Sequence, residues 1–347
     1  MPLPFAPAGL PLLLGSLPHT DAHEAVAATR QHAGTLLVWP QLPQRSFREH
    51  SVVQSARGFP GLVVDEANKR VYVDRARAEQ ELDRLALAYL ENSTHYARLP
   101  ASDAAGLAEV LDHEYERSGA RMLGGHVLGP ISLAMQLTDE NQQPLINDSM
   151  LFDAIVQHVR LRATWQEARL GELTGATLIC LEEPFLEMVG QPFLPLDWDE
   201  ARARLDEVFS GLNGGRALYA GGAIDWSAVI STAAELVIGD VYNHGEQLIR
   251  AAEPLKAWLH EGGMIGLGLV PADAALLAEV SAERLIEMLD QLLAQLAAHD
   301  IEPHVVIEQS VITSNAGLGM LDVAAAEQAL RLQAEVSSRL RERSTPA

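Results

Sequence analysis

One unit recurs along this chain: a short apolar run followed by a long segment with helical spacing, eight times over. The runs cover residues 12–17, 35–39, 121–128, 176–181, 216–221, 236–241, 263–269 and 305–311. Each is Leu-rich or β-branched and bounded by Gly or Pro, the pattern of strands buried on both faces. Strands alternating with helices predict a parallel sheet with right-handed crossovers. Eight of them favour closure into a barrel over an open doubly wound sheet, and no GxGxxG follows the first run. The expected fold is therefore α/β, a (β/α)8 TIM barrel, with residues 1–347 as a single domain.

The helical segments carry their own start signals. Thr20 reads as the N-cap of a helix through residue 33, with Asp21 and Glu24 in its first turn. Asn147 and Asp148 open a long helix to about residue 173, and Asp197 or Asp199 opens another. Ser281 begins a helix whose apolar residues, Leu285, Ile286, Leu289, Leu292, Leu293 and Leu296, follow helical spacing. A last helix covers about residues 323–341. An insertion of approximately residues 43–120 separates strands two and three. Within it, GLVVDEANKRVYVD (61–74) reads as a β-hairpin turning at 66–69, followed by helices over roughly 75–92 and 102–118. Such an insertion either covers the mouth of the barrel or seals one of its ends.

Charge narrows the partners. The formal net charge is −22. A surface that acidic repels phosphate backbones and anionic lipid heads, so a small-molecule ligand is expected and nucleic acid and membrane are not. A single cysteine, Cys180, allows no internal disulfide and fits a cytoplasmic location. The apolar N-terminus lacks a basic segment and is interrupted by prolines, unlike a signal peptide. No run reaches the ~18 apolar residues of a membrane-spanning helix.

Chemistry is expected where the strands end. The sequences GSLPHT, WPQLP, GHVLGP, LEEP, YAGGAIDW, GDVYN, GLVP and ITSNAGLG follow the eight runs in order. In a barrel these ends converge on one face, where barrel enzymes place catalysis. Alternation puts Leu178, Cys180 and Glu182 on one strand face, so Glu182 points into the mouth and Glu183 turns to a neighbour. Glu182 could bind an ammonium group or act as a base; the alternative is an acid that caps a helix or pairs with Arg. Cys180, one layer deeper, reads as a small apolar filler. His19 and His126 sit at strand ends and His244 begins a helix; each is a candidate acid, base or ligand, or a structural histidine. Trp39 ends strand two. Asp225 and Asp240 close strands five and six, and Asp225 serves equally well as a helix cap.

These residues fall into a familiar order. GSLPHTDAHEA, WPQLPQRSFREHSVVQ, the 61–74 hairpin, LGPISLA, LEEPFL, DWSAVI, GDVYN, GGMIGLGLVP and TSNAGLG together resemble the catalytic barrel of cobalamin-independent methionine synthase. The likeness is closer to its short, single-barrel relatives, within the superfamily shared with uroporphyrinogen decarboxylase, and covers nearly the whole chain. It implies a methyltransferase in which a zinc-bound homocysteine thiolate attacks a methyl donor, either a folate or a methylated corrinoid delivered by a corrinoid protein. Zinc would deprotonate and orient the thiol. By resemblance, Ser16 and Glu182 would hold the backbone and ammonium of the amino acid; by their places at the strand ends, His19, Trp39 and Asp225 are further candidates at the substrate, and Glu182, Asp240 and His126 are the candidate catalytic set. The family's zinc ligands, a His-x-Cys, an acid and a late Cys, fall here at Tyr219, Gly221, Asp240 and Ala316. Only the acid is kept, so that zinc site is not expected. Three outcomes follow: a methyl or alkyl transfer needing no zinc or using a different ligand set such as His126, Asp240 and His244; a non-catalytic binding or partner subunit; or a decarboxylase-like or corrinoid-handling enzyme.

Overall fold

A computed structural model describes residues 4–114 and 119–344. Eight parallel strands form the barrel: β1 (Leu10–Pro11), β2 (Leu36–Val38), β3 (Met122–Leu128), β4 (Thr177–Glu183), β5 (Gly215–Ala220), β6 (Leu236–Gly239), β7 (Met264–Val270) and β8 (Ser310–Ser314). Each pairs in parallel with its sequence neighbour from β2 round to β8, and β1 pairs with β8 through Leu10 opposite Val311. The last seam, β1 to β2, is held by one bridge, Ser16 opposite Gln41. The barrel strands are almost wholly buried, as their apolar composition requires.

Two strands differ from the sequence expectation. Residues 12–17 contribute only their backbone at the seam: Leu12 donates to Ile312 and Leu17 to Gln41, while the ladder itself lies at Leu10–Pro11. The run at 305–311 begins as a helix, Pro303–Glu308, and the strand is Ser310–Ser314. Pro303 at the first helical turn presets its φ, which outweighs the β-branched run Val305, Val306 and Ile307.

The helices start close to the expected residues. Asp21, rather than Thr20, caps Ala22–Ala33 by accepting from the Glu24 amide. Asp148 caps Ser149–Gly171, Asp197 caps Trp198–Phe209 and Ser281 caps Ala282–Ala297. The last helix spans Val323–Ser344.

The insertion contains the expected hairpin, Leu62–Asp65 antiparallel to Arg70–Val73, and a third short strand, Thr138–Asp139, joins its edge. Helix Arg75–Leu90 follows. The expected helix at 102–118 is instead a short α-helix, Ala105–Glu109, continuing as a π-helical turn over Val110–Glu114; residues 115–118 lie outside the described residues. Arg75 clips the root of the hairpin to the loop after β3, reaching Asp139 and Asp148. Helix Ser51–Ala56 is fastened to the barrel. Ser55 Oγ accepts from the Leu128 amide at 3.1 Å, and Gln54 Oε1 accepts from Gln41 Nε2 at 2.9 Å.

Candidate active site at the barrel mouth

The C-terminal strand ends enclose a cavity of about 570 Å³. The barrel contributes Ser16, Glu182 and Tyr219 to its wall, and the insertion contributes His50 and Lys69. The insertion therefore lies over the mouth rather than sealing the far end.

Strand register builds the floor. Glu182 pairs with Leu128 on one side and Tyr219 on the other, so the three share a level; His126 and Cys180 are paired one layer below. Glu182 is 14% exposed and His126 only 2%, with His126 Nδ1 at 3.6 Å from Glu182 Oε1. Burial pushes the Glu182 carboxyl up to about 7 and the His126 imidazolium down to about 4. The two face each other largely as a neutral histidine and a carboxyl poised near neutrality, not as a fixed ion pair. A Cβ at Gly15 would meet Glu182 Oε1, so a side chain there would push the carboxylate from its place, and the φ of 58° suits glycine. Burial also pushes up the Tyr219 phenol, with the charge of Glu182 next in effect.

Behind the floor lies a support that no local sequence signal marks. The Trp39 ring stacks on His126 at 4.2 Å between centroids. Gln166, from helix Ser149–Gly171, accepts from Trp39 Nε1 at 3.0 Å and donates to the His126 carbonyl at 2.8 Å. His126 Nε2 is buried and has no hydrogen-bond partner among the described residues. Gln166 lies 127 positions from Trp39 along the chain, and nothing local marks it as their link.

Of the remaining candidates only Ser16 reaches the cavity wall. Ser16 lines the cavity, where its Oγ accepts from the Gly319 amide at 3.1 Å and ties the TSNAGLG loop to the seam. Trp39 is fully buried, reaching the site only through His126. His19 turns outward, its Nε2 at 3.6 Å from Glu327 on the last helix. Asp225 caps the turn Trp226–Val229 by accepting from the Ser227 amide. Asp240 caps Val241–Arg250 and accepts from Asn315 Nδ2 at 3.3 Å, while Tyr219 donates to the Asn315 carbonyl at 3.1 Å. Glu183 faces away from the cavity and accepts from the Ile131 and Ser132 amides at the start of helix Pro130–Gln136. Cys180 is buried, and burial raises its thiol well above the ordinary range.

Among the described residues no group of three or more His, Cys, Asp or Glu side chains could hold a metal. Tyr219 offers a phenol already engaged with Asn315. At Gly221 a Cβ would lie 2.7 Å from the Pro184 carbonyl oxygen, so the backbone leaves no room for a cysteine.

A scan of protein-family models finds no match, and a search of curated proteins finds none either. Among solved structures, a Listeria monocytogenes protein named as a vitamin-B12-independent methionine synthase is 11% identical over 63% of this chain and 64% of its own, with a TM-score of 0.41. A methyltransferase from Methanosarcina mazei is 12% identical over 94% of both chains, with a TM-score of 0.54. At that identity the likeness to the Methanosarcina protein establishes a shared fold.

Proposed function

We propose that this barrel is a transferase that binds a small amino-acid or thiol ligand in its mouth and moves a methyl group onto it, without the zinc centre of methionine synthases. The observation that carries the reading is the Glu182 carboxyl at the cavity floor, desolvated by its surroundings and backed by neutral His126. A carboxyl titrating near neutrality can hold the ligand's ammonium or take the acceptor's proton as the nucleophile forms. Ser16 and the Gly-rich loop beside it supply polar contacts for the ligand backbone. The fold shared with a methyltransferase and the order of strand-end motifs support the same class. The donor in this reading is a folate or a methylated corrinoid.

Calorimetry with L-homocysteine tests it. Binding to the natural sequence, weakened at least tenfold (about 1.4 kcal/mol) by Glu182→Gln, is the expected result. No binding to the natural sequence removes the reading. The alternative outcome is a binding subunit without chemistry. Homocysteine binding with no methyl transfer from either 5-methyltetrahydrofolate or methylcobalamin would select it.

A further inference from the structure

The cavity wall has an asymmetry of charge. The barrel side presents the Glu182 acid, and the hairpin side presents Lys69. The chain has 47 acidic residues and only two lysines, Lys69 and Lys256. Lys256 lies against Asp300 at 3.4 Å, in a separate cavity. Lys69 is exposed, and among the described residues its ammonium has no hydrogen bond or ion pair.

Its neighbours show that this is a matter of placement. Arg48 is held by Glu66 at 2.5 Å, with Asp103 at 3.9 Å, and Arg45 is held by the buried Glu49. Arg45 and Arg48 are thus met by acids and Arg70 lies over the Tyr72 ring, while the one amine facing the cavity has no such partner among the described residues. The backbone beneath Lys69 is built to hold it there. Asn68 closes the turn onto Asp65 through its amide at 3.1 Å and its side chain at 2.7 Å. Lys69 itself takes a φ of 50°, the left-handed position that closes this hairpin turn. The Arg48–Glu66 pair fixes the tip of the hairpin over the rim. His50, also on the wall, carries its ring against Phe47 and adds a second basic side chain on the same side.

We propose that the mouth takes a ligand with an anionic outer end, a carboxylate or a phosphate, and that Lys69 on the insertion hairpin holds it. The inference rests on the preceding reading only in taking the mouth as the ligand site. The ligand spans the cavity with its polar inner end towards Glu182 and its anion towards the hairpin. A strongly hydrated ammonium on a flexible stem suits either anion, without the planar matching that a guanidinium would impose.

The two lysines make the test direct. The full chain is acylated with an amine-reactive ester in the presence of glutarate, inorganic phosphate or the neutral analogue glutaramide, and each lysine is followed by peptide mass spectrometry. Glutarate or phosphate is expected to slow acylation of Lys69 several-fold, with Lys256 unchanged and glutaramide without effect. The anion that protects identifies the chemistry. Equal slowing at both lysines, or none at Lys69, overturns the inference. In calorimetry, Lys69→Gln should weaken the protecting anion roughly tenfold, with Lys69→Arg retaining most of the affinity; unchanged affinity in Lys69→Gln also overturns it. Protection of Lys69 without homocysteine binding keeps this inference and removes the methyl-transfer reading. Homocysteine binding without protection does the reverse.

Discussion

Glu182 carries a pH signature that can be measured without knowing the ligand. Its carboxyl is raised by burial to about 7, above the ordinary value of 4.5. The folded protein therefore keeps this proton where the unfolded chain has released it. The stability this proton confers is fully present below the ordinary value and is lost as pH rises towards about 7. The loss is on the order of 3 kcal/mol. Urea unfolding should show stability falling across that window, and Glu182→Gln, which cannot ionise, should lessen the fall without abolishing it, because burial also raises the neighbouring Glu183 carboxyl to about 7. Equal slopes in the two proteins would show that Glu182 is solvated in the fold. Glu182 was legible because strand alternation alone aims it inward beyond Leu178 and Cys180. Its support was not. The links among Trp39, Gln166 and His126 join a strand end to a distant helix, and only the closed barrel brings them together. His19 illustrates the converse: a strand-end position is visible in sequence, but the outward rotation that carries it to Glu327 is not.

Secondary structure was legible wherever a run had one strong signal. The hairpin emerged as read because two alternating runs flank a turn, and the caps at Asp148, Asp197 and Ser281 followed from short polar residues before helical spacing. At 303–311 two signals competed, a proline start and a β-branched run, and a helix and a strand came to share the segment. The hairpin also depends on one residue at its root. Gly61 has a φ of 68°, and a Cβ there would meet the Asp74 carbonyl at 2.5 Å and the Ala78 amide at 2.7 Å. The Gly61 amide also donates to Glu81 on the following helix. Gly61→Ala should therefore destabilise the fold by about 2 kcal/mol and loosen the hairpin tip. Thermal unfolding checks the first effect, and limited proteolysis at Lys69 and Arg70 checks the second. A variant as stable and as resistant as the natural sequence would mean that the hairpin root can move without cost.

At the scale of the whole molecule the dominant electrostatic fact is the excess of acid, −22 at neutral pH. No helix among the described residues is long and apolar enough to cross a membrane. Ion pairs offset part of the excess. Arg339 with Glu283 and Arg343 with Asp290 pin the last helix to Ala282–Ala297, and Arg204 joins Asp153 to Glu200. Most such pairs are exposed, and each contributes about 0–1 kcal/mol. The unpaired acids repel one another across the whole surface, and that repulsion favours the expanded chain. Raising salt from about 0.01 M to about 0.1 M shortens the screening length from about 30 Å to about 10 Å. Repulsion between distant acids is then lost, while pairs in contact keep most of their attraction. The thermal midpoint should consequently rise with sodium chloride. Chloride is the appropriate anion, because sulfate would strengthen apolar burial as well and give the same sign for another reason. A midpoint that falls with added chloride would place the balance with the ion pairs between helices and make them, rather than the buried barrel alone, the fastening of the outer ring.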